Sequence, residues 1–167
     1  MTGGLGSAPL PPPQPDDHRS GPPERPLAIV YADYECPYCA VLEERLVACG
    51  AQRIFRHFPV TSKHPRAGAA ACAAEAAGLQ GRFWEMHALL FADQGRLEDP
   101  HLWARAERLG LDVERFDADR RSEAVIARVK RDFVSGVRVG VVTTPTLFLA
   151  GEPHPGLPSD ELIDRLG

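Results

Sequence analysis

Tyr34-Glu35-Cys36-Pro37-Tyr38-Cys39 is the stretch on which the reading of this chain turns. Two cysteines stand three residues apart, with a proline directly after the first. The apolar run Leu27-Ala28-Ile29-Val30-Tyr31 precedes them, and Ala40-Val41-Leu42-Glu43-Glu44-Arg45-Leu46 follows with helical character. The layout is strand, tight turn, helix. It puts Cys36 at the helix N-cap and Pro37 at the first helical position, where a missing N–H costs nothing. A helix N-terminus offers unpaired N–H groups and a partial positive charge, and both favour a thiolate. Cys36 is therefore expected to be the exposed, low-pKa nucleophile. Cys39 lies one turn along on the same face, with its sulfur in reach of the first. The chemistry implied is thiol–disulfide exchange, in which Cys36 attacks and Cys39 resolves the mixed disulfide.

The competing reading of a CxxC is half of a zinc site. A structural zinc site needs a second pair of ligands at regular spacing. Cys49 and Cys72 are single, and none of the six histidines forms an H-x₃₋₅-H pair. Neither a metal nor a cofactor is expected.

Outward from the dithiol, residues 27–33 read as a strand buried on both faces. Leu42, Leu46 and Cys49 share a face of the helix, which Gly50 ends in a left-handed conformation. Gln52 to Phe58 is a second strand, with Ile54 and Phe58 on one side and Phe55 on the other; Pro59 stops it. Strand, helix and strand predict a parallel βαβ unit. A helical region then runs from about 64 to 138. Pro65 opens it into an alanine-rich helix, and Phe83, Met86, His87, Leu90 and Phe91 repeat at helical spacing. His87 on that stripe reads as a packed, hydrogen-bonded residue. Ala92 to Glu98 is a loop. Leu102, Ala106 and Leu109 mark a short helix, and Ser122 begins the last. The period changes at 141–150, where Thr144-Pro145-Thr146-Leu147-Phe148-Leu149 is rich in strand formers, and Ser159 caps a final helix.

Residues 1–25, with prolines at 9, 11, 12, 13, 15, 22 and 23, read as a Pro/Gly-rich tail, disordered to about residue 15. The remainder, 26–167, is one domain with a helical insertion at about 61–139. The 167 residues carry enough apolar side chains (44%) to bury a core. A net charge of −4 with no basic run argues against nucleic acid as a partner. No run is long and apolar enough for a transmembrane helix, and the N-terminus lacks the basic-then-apolar pattern of a secretory signal. With Met1 as the start, the chain reads as cytoplasmic, without a membrane partner, and the cysteine pair rests mostly reduced.

The sequence resembles the DsbA-like thiol–disulfide oxidoreductases, whose fold is the α/β thioredoxin-like fold with an inserted helical subdomain. The resemblance spans residues 16 to 166. Its marks are Asp33-Tyr34-Glu35-Cys36-Pro37-Tyr38-Cys39, Arg56-His57-Phe58-Pro59, His64-Pro65, Gln80-Gly81-Arg82-Phe83-Trp84-Glu85-Met86-His87 and Thr144-Pro145-Thr146, in that order. It implies that Pro145 is a cis-proline against the active-site disulfide. It also implies that the Thr144 backbone binds an extended substrate strand. Three departures stand out. Val30 occupies the position, six before the nucleophile, where relatives often carry a buried acid that assists proton transfer. Asp33, Glu35 or bulk water could take over that task. The Pro37-Tyr38 pair between the cysteines is glutaredoxin-like, and Glu35 beside Cys36 opposes thiolate formation. Thr143 replaces a glycine frequent in relatives.

The reading that follows is a disulfide reductase or isomerase. It acts on protein or low-molecular-weight thiol substrates and exchanges electrons with a redox partner that the residues do not specify. Two alternatives keep the fold but change the function. One is a peptide-binding, chaperone-like module. The other is a glutathione-dependent enzyme, whose relatives usually carry a lone serine or cysteine in place of the CxxC.

Overall fold

The structure, a computed structural model, describes residues 8–167. Five strands, β1 (His18–Ser20), β2 (Leu27–Ala32), β3 (Gln52–His57), β4 (Thr146–Leu149) and β5 (Glu152–Pro155), form one sheet in the order β1-β3-β2-β4-β5. The β2–β3 pair is parallel, as a helical crossover requires, and the other pairs are antiparallel. The crossover is α1 (Pro37–Cys49), closed by Gly50 at φ 67°, whose N–H donates to the Leu46 and Val47 carbonyls.

Alternation along β2 splits the core in two. Ala28, Val30 and Ala32 face a large cluster that includes Cys39, Leu42 and Leu46 of α1 and Leu162 of α7 (Asp160–Asp164). Ile29 and Tyr31 face a smaller cluster with Ile54, Phe58 and Phe148. A strand covered on both faces must be apolar at consecutive positions, which is why 27–32 reads as a continuous run.

Between β3 and β4 lie five helices: α2 (Ala67–Gly78), α3 (Phe83–Ala92), α4 (Asp99–Arg108), α5 (Val113–Asp119) and α6 (Glu123–Arg138). Seven alanines of α2 are buried, at 67, 70, 71, 73, 74, 76 and 77. Small side chains let neighbouring backbones approach. Gly136 shows the same on α6: a Cβ there would meet the Phe58 ring at 2.6 Å and the Tyr31 ring at 2.9 Å. Pro65 does not open α2. The helix starts at Ala67, after two turns of irregular chain that close through Val60 and His64 carbonyls.

The tail expected over residues 1–25 is corrected for its described part; residues 1–7 lie outside the described residues. Residues 8–25 lie against the domain. Ala8 donates to the Arg138 carbonyl at 2.9 Å, Leu10 joins the smaller apolar cluster, and β1 pairs with β3. Arg56, 2% exposed, donates to the carbonyls of Pro11 and Pro12 at 3.1 Å each and pairs with Asp17 at 2.9 Å. Proline removes a donor but keeps its carbonyl, and a proline-rich strand loses little backbone entropy on ordering. The polar anchor comes from β3, forty residues on in the chain, where a local count of apolar side chains cannot register it.

Candidate active site

The α1 N-terminus builds the site. Cys36 is the N-cap, in extended conformation (φ −78°, ψ 120°), and Pro37 occupies the first turn. The Cys36 carbonyl accepts the N–H groups of Cys39 and Ala40 at 3.1 and 3.3 Å. Both thiols are free. The expectation of an exposed Cys36 is corrected: Cys36 is 3% and Cys39 2% exposed. The Cys36 sulfur lies 3.5 Å from the Thr144 carbonyl, and the Thr144–Pro145 peptide is cis. The stretch carrying Pro145 thus folds back onto the helix N-terminus, and Pro145 is held by Gly156 N–H on its carbonyl at 2.8 Å.

Electrostatics separate the two sulfurs. The Cys36 thiol is lowered to about 6, first by a hydrogen bond from the Cys39 thiol. Burial opposes this, while Thr144 and the N–H groups of Cys39 and Tyr38 add to it. Burial pushes Cys39 far above the ordinary thiol range, and sharing its proton with Cys36 pushes it further. One sulfur is a thiolate at neutral pH and the other is a held thiol. That is the division of labour between an attacking and a resolving cysteine.

The neighbouring carboxylates are occupied with the backbone. Asp33, 1% exposed, accepts from Glu35 N–H and Val60 N–H at 2.8 Å each and faces His64 Nδ1 at 2.9 Å. Its backbone turns to the dithiol: the Asp33 N–H lies 3.5 Å from the Cys39 sulfur, and the Asp33 carbonyl accepts the Cys36 N–H at 3.2 Å. Glu35 accepts Arg66 N–H at 2.8 Å and so caps the start of α2. Asp33 shapes the turn, and Glu35 ties it to the start of α2. Tyr38, 60% exposed, stands outside, as does Val142 at 89%. Tyr38 stands between the two cysteines on α1, and Val142 lies two residues ahead of Thr144 and its cis peptide.

A buried polar row lies inside. The Tyr34 hydroxyl is 2.8 Å from His87 Nδ1, and His87 Nε2 is 3.0 Å from Glu43, which pairs with Arg53. His87 is therefore the packed, hydrogen-bonded residue that its helical spacing predicts. A second cluster joins His18, His57 and Glu75, whose ligating atoms lie within 4.8 Å of one another. Each imidazole Nε2 is 2.7 Å from the same Glu75 oxygen. A metal on Nε2 would need an acceptor for the opposite N–H, and His57 Nδ1 is buried without a partner. The three residues fit a hydrogen-bonded triad better than a metal centre.

Sequence reasoning missed Gln94, which reaches from the α3–α4 loop to the Tyr34 and Cys36 carbonyls. It also missed His64 as the partner of Asp33. Nothing in a single chain's spacing marks either one.

Fold and site together define a thioredoxin-fold protein with a paired dithiol at a helix N-terminus and a cis-proline beside it. Residues 52–165 match the model of the DSBA-like thioredoxin domain, and the chain belongs to that family. The match begins after the dithiol, so Cys36 and Cys39 rest on their own geometry. A thioredoxin-like oxidoreductase from Silicibacter pomeroyi superposes with a TM-score of 0.80 at 24% identity, covering 91% of each chain. BdbD from Bacillus subtilis gives 0.76 at 18% identity, covering 95% of this chain and 97% of BdbD. Among curated proteins, Na(+)/H(+) antiporter NhaA 1 of Salinispora arenicola is 47% identical over 150 residues. That alignment takes in 84% of this chain and 22% of the antiporter. The corresponding protein of Mycolicibacterium gilvum is 42% identical over 149 residues, 24% of its length. The chain thus spans about a quarter of the curated relatives it matches, or less. No described helix is long and apolar enough to cross a membrane.

Proposed function

We propose that this domain is a thiol–disulfide oxidoreductase of the reductase or isomerase type, acting on disulfides of proteins or small thiols. One observation carries the reading: a low-pKa Cys36 at a helix N-terminus, backed by a protonated Cys39 and overhung by the Thr144 carbonyl. In the reductive direction the Cys36 thiolate attacks a substrate disulfide, forming a mixed disulfide and releasing one substrate thiolate. Cys39 then loses its proton, attacks the Cys36 sulfur and displaces the second substrate thiolate. Two electrons have passed to the substrate, and the domain holds a Cys36–Cys39 disulfide that a thiol or dithiol donor must reduce. In the isomerising direction the mixed disulfide is instead resolved by another substrate thiol, and no net electrons pass. The backbone around Thr144 is the substrate-facing edge in this reading, and a reducing, cytoplasmic setting keeps the pair as dithiol. The matched region is a fraction of the antiporters, and their named activity is not carried over.

The experiment is reduction of a protein disulfide, with insulin as substrate and a dithiol as donor. Wild-type protein is expected to accelerate it, and Cys36→Ser to abolish the acceleration. An activity that survives replacement of both cysteines by serine would favour a peptide-binding module instead.

A further inference from the structure

We propose that Gln94 is a positioning residue of the exchange reaction: from the inserted helices it holds the carbonyls of Tyr34 and Cys36 and thereby fixes the helix N-terminus on which the Cys36 thiolate forms. The inference rests on the redox reading above and adds a residue to it. The Gln94 amide nitrogen lies 2.8 Å from the Tyr34 carbonyl and 2.8 Å from the Cys36 carbonyl. Two acceptors on one atom admit only the NH₂ end of the amide, so the orientation is determined by chemistry. The two carbonyls flank Glu35: one lies two residues before the nucleophile and the other is the nucleophile's own. The Cys36 carbonyl already accepts the first intrahelical bonds, and Gln94 adds a donor to it from outside the helix.

The loop that carries Gln94 is itself tied down. Arg105 of α4, 8% exposed, donates to the Asp93 carbonyl at 2.8 Å and the Arg96 carbonyl at 2.6 Å, one on each side of Gln94. It also reaches the carbonyls of Leu89 at 3.3 Å and His101 at 3.2 Å. A planar fork of five donors suits such a spread of acceptors, and lysine could not span it. Arg105, the 93–96 loop and Gln94 therefore form a continuous polar strut from the insertion to the dithiol. Its effect on the sulfur is electrostatic and geometric. Without the amide, the Tyr34 carbonyl loses its donor, the turn gains freedom, and the N–H groups that stabilise the thiolate lose their aim. The negative end of the Tyr34 carbonyl would also stand uncompensated beside it, and the Cys36 carbonyl would keep only its intrahelical donors.

The test compares wild type with Gln94→Ala, Gln94→Asn and Gln94→Glu; the last keeps the shape and removes the donors. Two quantities are read: the thiolate absorbance at 240 nm against pH, and the rate of exchange with a small aromatic disulfide. The midpoint for Gln94→Ala and Gln94→Glu should rise by about one pH unit, with exchange at pH 6 about fivefold slower. The Asn variant, one methylene shorter and able to reach one carbonyl, should fall between. A purely structural role would lower thermal stability and leave the midpoint unmoved. Arg105→Lys supplies a variant remote from the sulfurs, expected to shift the midpoint the same way by a smaller amount. Folded Gln94 and Arg105 variants whose midpoint and pH 6 rate stay within twofold of wild type overturn the proposal. A wild type that exchanges no disulfide overturns the redox reading itself, which separates the two failures.

Discussion

Cys36 and Cys72 illustrate how far one thiol can differ from another in the same domain. Cys36 sits among donors and is lowered to about 6; Cys72 on α2 is pushed up to about 11 by burial, with Glu75 adding to it. Iodoacetamide at pH 6 to 7 should therefore modify Cys36 first, with a rate that rises through an inflection near pH 6. Mass mapping checks this, and preferential labelling of Cys39 or Cys72 would reverse the assignment. Cys39→Ser should accumulate mixed disulfides, whereas Cys36→Ser should form none. Redox poise also belongs at this scale. Tyr38 brings no charge between the cysteines, and the Glu35 carboxylate is taken up by Arg66 N–H. The thiolate is stabilised to an intermediate degree, so the couple should lie at roughly −180 to −230 mV, the span of isomerases and glutaredoxins. Equilibration with glutathione buffers gives the value; a midpoint near about −120 mV would mean a strong oxidant.

Elements meet here through buried charge and through close backbone approach. Glu75 links α2 to β1 and β3, and Glu43 links α1 to α3 and β3. Burial opposes the charge on both, but the histidines beside Glu75 hold it well below the carboxylate range. His87 and Arg53 hold Glu43 down to about 2. A carboxyl depressed in the folded state contributes stability above its unfolded value, about 4.3, and loses it as pH falls toward the folded value. His87, lowered by burial, stays neutral where an unfolded histidine would take a proton, which also disfavours the fold in acid. The melting temperature should fall steeply below about pH 4.5. Glu43→Gln should flatten that fall, removing up to about 3 kcal/mol of pH-dependent stability. Gly136→Ala tests the other kind of contact. The added methyl must displace the Phe58 and Tyr31 rings, and overpacking of that sort costs about 1–3 kcal/mol in a denaturant titration.

At the scale of the molecule, residues 8–25 belong to the domain. Removing residues 1–17 would strip Arg56 of Asp17 and both proline carbonyls. A buried cation left unpaired costs about 3–5 kcal/mol, so the truncated chain should melt well below the full one while Asp17→Asn loses less. What could be foreseen and what could not divide along a physical line. The strands at 27 and 52, the helix at Pro37 and the caps at Gly50, Ser122 and Ser159 write themselves locally, through period and backbone preference. The dithiol is equally local, being one turn of one helix. The Pro145 cis bond came from resemblance, since no spacing implies it. The proline segment, the His18–His57–Glu75 triad and Gln94 join residues from separate elements by polar contacts. Such contacts have no period, and no neighbour in the chain announces them.

The bond from Ala8 to Arg138 has a practical side. The chain is fixed to the end of α6 as early as its eighth residue, before the first strand begins. A fluorophore attached at that point would turn with the body of the domain, and its polarisation would report the tumbling of the whole particle. The same dye would therefore register the arrival of a large disulfide-bonded client as a slower rotation, at a distance from the sulfurs and without touching them.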